Sequence, residues 1–329
     1  MRVAVFGAGA IGGYLAAKLA AAARVDLSLV ARGAHLDAIR RDGLKLIEDG
    51  RETVHRVTAT STATEIGTQD YVLLTLKAHS IAPALAEIAP LIGNDTAVVT
   101  MQNGMPWWYF HGLDSAFRDR RIEAVDPGGR IWKAIGPERA LGSVVYPAAE
   151  IEAPGTVRHI EGTRFSLGEP DGSRSRRATD LAAEFVAAGL QAPVRSDIRS
   201  EIWVKLWGNL AFNPISALTG STLEDIVADA GTRAVAEAMM LEAEAIGTAL
   251  GVRFPVDIGR RITGASKVGA HKTSMLQDLE RNRPMEIDAL ITAVQELGRM
   301  TRTPTPAIDA VLALVRRLAT ERRLYPPGL

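Results

Sequence analysis

The chain has 329 residues, with 38 Lys+Arg balanced by 38 Asp+Glu, six histidines and no cysteine. That length predicts two domains with a sizeable core, and the zero net charge excludes a uniform electrostatic pull toward nucleic acid or an anionic membrane, so a small molecule is the expected partner. Without cysteine there is no disulfide framework, thiol nucleophile or thiolate metal site, and the singly scattered histidines form no zinc motif; no metal is expected, and the cytoplasm is the expected compartment.

"MRVAVFGAGAIGGYLAAKLAAAA" opens the chain and imitates a secretory signal, but Lys18 interrupts its apolar run and the glycine spacing explains it better. No other stretch reaches the ~18 uncharged apolar residues of a membrane span. "RVAVFG", "DLSLVA", "YVLLTL" and "TAVVTM" read as buried parallel strands, separated by helical segments such as 11–22 and 81–89. "LKLIEDG" and "ETVHRVTA" form an antiparallel excursion around a turn at Asp49-Gly50. Further strands follow in "ALGSVVYPAAEIEAPGTVRHI" and "RFSLGEP", with a Pro-Gly turn at 154–155, and the polar "EPDGSRSRR" at 169–177 is a surface loop entering a last helix. After about Asp197 strand signals vanish, and 197–252, 255–270, 274–300 and 305–322 carry helical spacing. The expectation is α/β: a Rossmann-type doubly wound domain over 1–196, then an all-α domain over 197–329.

The segment Gly7-Ala8-Gly9-Ala10-Ile11-Gly12 is a G-x-G-x-x-G run placed after a strand and opening a helix. Gly7 permits the tight turn, Gly9 lets backbone N–H groups approach a pyrophosphate, and Gly12 allows close helix–strand packing, which together predict a dinucleotide site. An NAD site usually ends the second strand with an acid; here Arg32 stands in that place, and a guanidinium suits the 2′-phosphate of NADP. Tyr14 and Lys18 make a Y-x-x-x-K pair, but on a helix that faces them away from a nicotinamide. "GASKVGAHKTS" at 264–274 resembles a P-loop, yet Ala270 replaces its lysine and no strand precedes it.

"WVKLWGNLAFNP" at 203–214 sets Lys205, Asn209 and Asn213 four residues apart, on one flank of an otherwise apolar helix. A reductase needs a proton donor where charge builds on the carbonyl oxygen, and Lys205 is a candidate that a carboxylate such as Glu286 would keep protonated. Equally open on this stretch alone is a lysine that snorkels to solvent, with both asparagines capping or kinking the helix at Pro214.

The glycine loop, "TLKAHS", "QNGM", K-x-x-x-N-x-x-x-N-P and "SMLQD" with Glu286 twelve residues after Ser274 together resemble the ketopantoate reductase family, in this order and over nearly the whole chain. The resemblance implies NADPH-dependent 2-dehydropantoate 2-reductase activity in pantothenate biosynthesis, a helical domain of the 6-phosphogluconate dehydrogenase C-terminal type, and substrate in the interdomain cleft. It implies Lys205 as proton donor, Asn209 and Asn213 as holders of substrate polar groups, and Ser274 as the carboxylate contact. Glu286 would orient Lys205 and touch the cofactor; Lys77 and Asn103 would contact NADPH, Asn103 also the substrate; Ala148 matches a cofactor contact more loosely. This chain departs from the pattern at Leu223, where some members carry a substrate-binding Asn, and in a long 105–142 insertion that opens on Trp107-Trp108-Tyr109-Phe110. Those aromatics either reshape the pocket, favouring a bulkier 2-oxo acid, or pack between domains. A protein that senses NADP(H) without turnover is the alternative of another class, and a homodimer is one open assembly.

Overall fold

The computed structural model describes residues 1–325, so the last four residues of the expected second domain lie outside the described residues. The chain divides into two compact units. The first comprises 1–102, 110–120 and 129–198; the second comprises 103–109, 121–128 and 199 onward.

The first unit holds eleven strands: β1 (Arg2–Phe6), β2 (Asp26–Val30), β3 (Leu44–Glu48), β4 (Arg51–His55), β5 (Thr58–Thr60), β6 (Tyr71–Leu74), β7 (Ala97–Thr100), β8 (Ala140–Val145), β9 (Ala148–Ala153), β10 (Thr156–Glu161) and β11 (Phe165–Gly168). Seven make one sheet in the order β11-β8-β7-β6-β1-β2-β5, parallel except for the β8–β11 edge. β6 and β7 are buried throughout, which is why they read as unbroken apolar runs rather than alternating ones. Helices Ala10–Ala22, Gly33–Asp42 and Arg176–Ala187 complete the doubly wound α/β layer. The 81–89 helix of the sequence reading is broken: only Leu85–Ile88 is α-helical, between 3₁₀ turns that contain Pro83 and Pro90. Proline removes the N–H and crowds the preceding turn, so no longer helix propagates.

The four remaining strands form a second sheet, β4-β3-β10-β9. Asp49 and Gly50, with φ of 50° and 76°, make the β3–β4 turn, as the matching hand of a tight hairpin requires. Pro154 and Gly155 turn β9 into β10, with Gly155 at φ 77°. β3 then pairs in parallel with β10, uniting two hairpins more than a hundred residues apart. One expectation is corrected here: 169–177 is not wholly a surface loop. Glu169 is buried, Arg177 donates to it at 2.6 and 2.7 Å and to the Ala140 carbonyl at 3.1 Å, and the helix has already begun at Arg176. A buried carboxylate needs such a partner, and only the fold reveals it.

The second unit is helical: Ile198–Thr219, Leu223–Ala228, Ala230–Ala249, Ile258–Ser266, Ser274–Glu280, a π-turn Asp288–Thr292 running into Ala293–Thr301, and Pro306–Glu321. The 197–252 stretch breaks at Gly220, whose φ of 72° a helix cannot hold, and 274–300 breaks where Asn282 has φ 51° and Pro284 follows. Trp203 and Trp207 are fully buried; Trp207 Nε1–H donates to the Met240 carbonyl at 2.8 Å and its ring lies 4.6 Å from that of Phe254. Trp107, Trp108, Tyr109 and Phe110 are each no more than 1% exposed. Trp203 Nε1–H donates to the Tyr109 hydroxyl at 2.6 Å and Arg199 Nε–H to the Tyr109 carbonyl at 2.7 Å. The aromatic run is therefore buried, with the Tyr109 hydroxyl and carbonyl both engaged.

Candidate active site

In the first unit the glycine run follows β1. Gly7 has φ 109°, and the Thr75 hydroxyl, just past β6, donates to its carbonyl at 2.6 Å. A Cβ on Gly12 would sit 2.0 Å from the Gly7 carbonyl oxygen, so only glycine lets the helix start this close to the strand. Around Gly9 the opposite holds: a Cβ there would meet nothing within 4 Å. Gly9 is the N-cap of Ala10–Ala22 and no side chain caps that end, so Ala8, Gly9, Ala10 and Ile11 lead into first-turn N–H groups beside open space. That combination fits a dinucleotide pyrophosphate.

Arg32 is the N-cap residue of Gly33–Asp42, two residues beyond β2; its side chain is 63% exposed and lies 3.3 Å from Glu87. Lys77 caps a 3₁₀ turn after β6, and Ala148 opens β9, both half-buried. Gly7, Arg32 and Lys77 all lie past the carboxyl ends of parallel strands, the edge at which open α/β sheets bind ligands. Tyr14 and Lys18 turn instead to Glu48 of β3, at 3.4 and 2.9 Å, which ends their claim to a catalytic pair.

In the second unit Ile198–Thr219 runs unbroken through Pro214, so the asparagines neither cap it nor end it. Lys205, Asn209 and Asn213 form one stripe along it. Lys205 Nζ donates to Asn103 Oδ1 at 2.6 Å. The residue as a whole keeps some exposure, yet its ammonium is deep: burial pulls its pKa from 10.5 down to about 8, and the Glu286 carboxylate pushes the other way. Asn213 is 4% exposed, and its Nδ2 lies 3.5 Å from Ser274 Oγ, a long contact. Ser274 is exposed at the first helical position after the Thr273 cap, and Asn209 is half-buried between the two ends of the stripe.

Glu286 sits two residues before the π-turn, ahead of its Ile287 cap, rather than inside a long helix. Met105 N–H donates to the Ala289 carbonyl of that turn at 2.8 Å, and Gly104 has φ 86° with room for no Cβ, which would lie 2.4 Å from the same oxygen. The π-turn thus anchors the residues next to Asn103 while carrying Glu286 on its leading end. Sequence reasoning named Asn103 and Glu286 but missed this link, because a π-turn leaves no local signature; it also missed Thr75, which "TLKAHS" contains without marking.

Two clusters result. Gly7–Gly12, Arg32, Lys77 and Ala148 belong to the first unit; Asn103, Lys205, Asn209, Asn213, Ser274 and Glu286 belong to the second. Residues 3–172 match the family model described as Ketopantoate reductase PanE/ApbA, and residues 197–319 match Ketopantoate reductase PanE/ApbA C terminal. The chain is 70% identical over 325 residues, 99% of its length and 100% of the relative's, to 2-dehydropantoate 2-reductase of Mesorhizobium japonicum. Among solved structures it is similar to a Ralstonia solanacearum MolK2 protein provisionally assigned as a ketopantoate reductase, with TM-score 0.94, 44% identity and 98% and 99% of the two chains covered. It is also similar to the PanE/ApbA family ketopantoate reductase of Ralstonia eutropha JMP134, with TM-score 0.84, 28% identity and 98% and 100% covered. Two family models that together span both units, and a relative matched from end to end, leave one assignment: the chain belongs to the ketopantoate reductase family of oxidoreductases.

Proposed function

We propose that the protein reduces 2-dehydropantoate (ketopantoate) to pantoate with NADPH, in the cytoplasm, as a step of pantothenate and coenzyme A biosynthesis. The observation that carries this reading is the buried Lys205 ammonium, hydrogen-bonded to Asn103 at 2.6 Å and biased toward its charged form by Glu286. A buried cation is expensive, and an apolar helix that holds one has a use for its proton.

NADPH, when bound, supplies the hydride that adds to the 2-oxo carbon. Gly7, Ala8, Gly9, Ala10, Ile11 and Gly12 would hold its pyrophosphate, Arg32 its 2′-phosphate, and Lys77, Asn103, Ala148 and Glu286 further parts of it. As charge grows on the carbonyl oxygen, Lys205 donates the proton from Nζ. Glu286 keeps that ammonium charged and Asn103 aims it. Asn209 and Asn213 hold substrate polar groups, and Ser274 binds the carboxylate. Glu286 and Lys205 together give this stripe a role that a non-catalytic NADP(H) sensor would not need.

The reading of a bulkier substrate rested on the aromatic run, whose rings are buried with the Tyr109 hydroxyl already engaged. Ketopantoate is therefore the preferred substrate. Its distal hydroxyl leaves polar partners unpaired when absent, at a cost of about 1–3 kcal/mol. NADPH oxidation with a panel of 2-oxo acids tests the reading: kcat/KM for ketopantoate should exceed that for 2-oxoisovalerate or benzoylformate by at least about tenfold. If benzoylformate wins, the substrate assignment is wrong.

A further inference from the structure

His35 lies in the first turn of Gly33–Asp42. Its Nδ1 accepts the Gly155 N–H at 2.9 Å. That turn is pinned: Lys45 N–H donates to the Gly155 carbonyl at 2.8 Å, and a Cβ on Gly155 would lie 2.9 Å from that of Ala38. Because Nδ1 is used as an acceptor, the proton of the neutral ring is on Nε2. Burial keeps the ring in that neutral form by lowering its pKa. Nε2 is itself buried and makes no hydrogen bond of ordinary geometry, while the Ala8 carbonyl lies near enough to oppose the effect of burial on the ring. A buried donor left unpaired is costly and calls for an explanation.

The geometry of the loop supplies one. In a trans peptide the C=O and the following N–H point in opposite directions. A donor on the Ala8 carbonyl therefore sets the Gly9 N–H on the opposite side of that peptide, and Gly9 is a residue at which a Cβ would meet nothing within 4 Å. Thr75 already holds the Gly7 carbonyl at 2.6 Å from the sheet side. The next carbonyl in the loop has His35 beside it.

We propose that His35 is a positioning residue of the cofactor loop: its Nε2–H bonds the Ala8 carbonyl when NADPH is held, fixing the Gly9 N–H toward the pyrophosphate, while Nδ1 stays on Gly155. The proposal rests on the reading of Gly7–Gly12 as the NADPH site. It couples the second sheet to the glycine loop through one ring, with each nitrogen doing a separate task.

Two substitutions separate those tasks. His35→Asn keeps an acceptor near the position of Nδ1 but does not reach Ala8, whereas His35→Gln keeps a donor near the position of Nε2 and gives up the Gly155 contact. NADPH titrations, followed by quenching of tryptophan fluorescence, should show Kd raised about tenfold in His35→Asn and within about threefold of wild type in His35→Gln, the size of one hydrogen bond lost or kept. Thermal unfolding without cofactor should show the reverse order, His35→Gln being the less stable because the Gly155 N–H loses its acceptor. An Asn variant that binds NADPH like wild type overturns the proposal, as does a Gln variant that binds as weakly as the Asn variant. Failure of wild type to bind NADPH at all sinks instead the cofactor reading beneath it.

Discussion

Replacing Glu286 by Gln keeps the shape of the side chain and removes the one charge identified as raising the pKa of Lys205. With that pKa at about 8, the ammonium is about nine-tenths protonated at pH 7. An opposite charge close to an ionisable group commonly contributes about 1–3 pKa units, so its loss should bring Lys205 to about 7 or below. A fall of one unit leaves about half of the lysine protonated at neutral pH, and a fall of two leaves about a tenth. The general acid must carry its proton to act, so kcat/KM at pH 7 should drop about two- to tenfold from protonation alone. The alkaline fall of the pH profile, near pH 8 in wild type, should begin at lower pH in the variant. The direction is fixed by sign: a lower pKa means the proton leaves earlier as pH rises. Initial rates of NADPH oxidation with ketopantoate, measured across about pH 5 to 10, give kcat/KM for both proteins, which reports groups of the free enzyme. Lys205→Ala is the reference and should lose about 10²–10⁴ of the rate, with that alkaline step gone. An unmoved step in Glu286→Gln, or one shifted to higher pH, would refute the reasoning.

Arg32→Ala should weaken NADPH about ten- to a hundredfold and leave NADH nearly unaffected, since one charge-assisted hydrogen bond to a phosphate is worth about 1.5–3 kcal/mol. The exposed Glu87 partner offers little competition for the guanidinium, and equal wild-type affinity for the two cofactors by titration would contradict the assignment. Gly104→Ala should lower both the melting temperature and turnover, because it forces a side chain into φ 86° and against the Ala289 carbonyl at 2.4 Å. The strain of that conformation alone costs about 1–2 kcal/mol, and normal activity in this variant would mean that the π-turn does not hold Asn103 in place.

The doubly wound sheet was legible because its strands announce themselves: four residues buried on both faces read as an apolar run, and the glycine run fixes where the first strand ends. The Lys205 stripe was legible as an oddity, three polar groups at helical spacing among tryptophans. Its hydrogen-bond partner was not, since Asn103 lies 102 residues away and joins it only through the fold. Local chemistry also misled. "EPDGSRSRR" has a loop's composition, yet Glu169 is buried because Arg177, eight residues on, folds back onto it. Pairing of β3 with β10, and with it the Gly155 contact of His35, is a long-range event that no window of sequence records. The aromatic run was undecidable for a related reason: four large rings in sequence satisfy a pocket wall and a core equally, and only the fold shows that all four are buried and that the Tyr109 hydroxyl is taken by Trp203.

The Ile198–Thr219 helix joins these observations energetically. A lysine whose pKa falls from 10.5 to about 8 on folding binds fewer protons in the folded chain than in the unfolded one between those values, so its contribution to stability rises with pH through that window. Below it the charged side chain opposes folding by about 3 kcal/mol, at about 1.36 kcal/mol per unit. Trp203, Leu206, Trp207 and Leu210 are buried on the same helix, and aliphatic or aromatic side chains of this kind stabilise by roughly 1.5–3 kcal/mol each. Two such residues are enough to offset the lysine, and the helix has four. The rings also hold the helix in register against its neighbours, Trp207 by its bond to Met240 and Trp203 by its bond to Tyr109. Tyr109 lies six residues beyond Asn103 on the segment that Met105 fastens to the π-turn. The same packing that makes a buried ammonium tolerable therefore also anchors the segment that presents Asn103 to it.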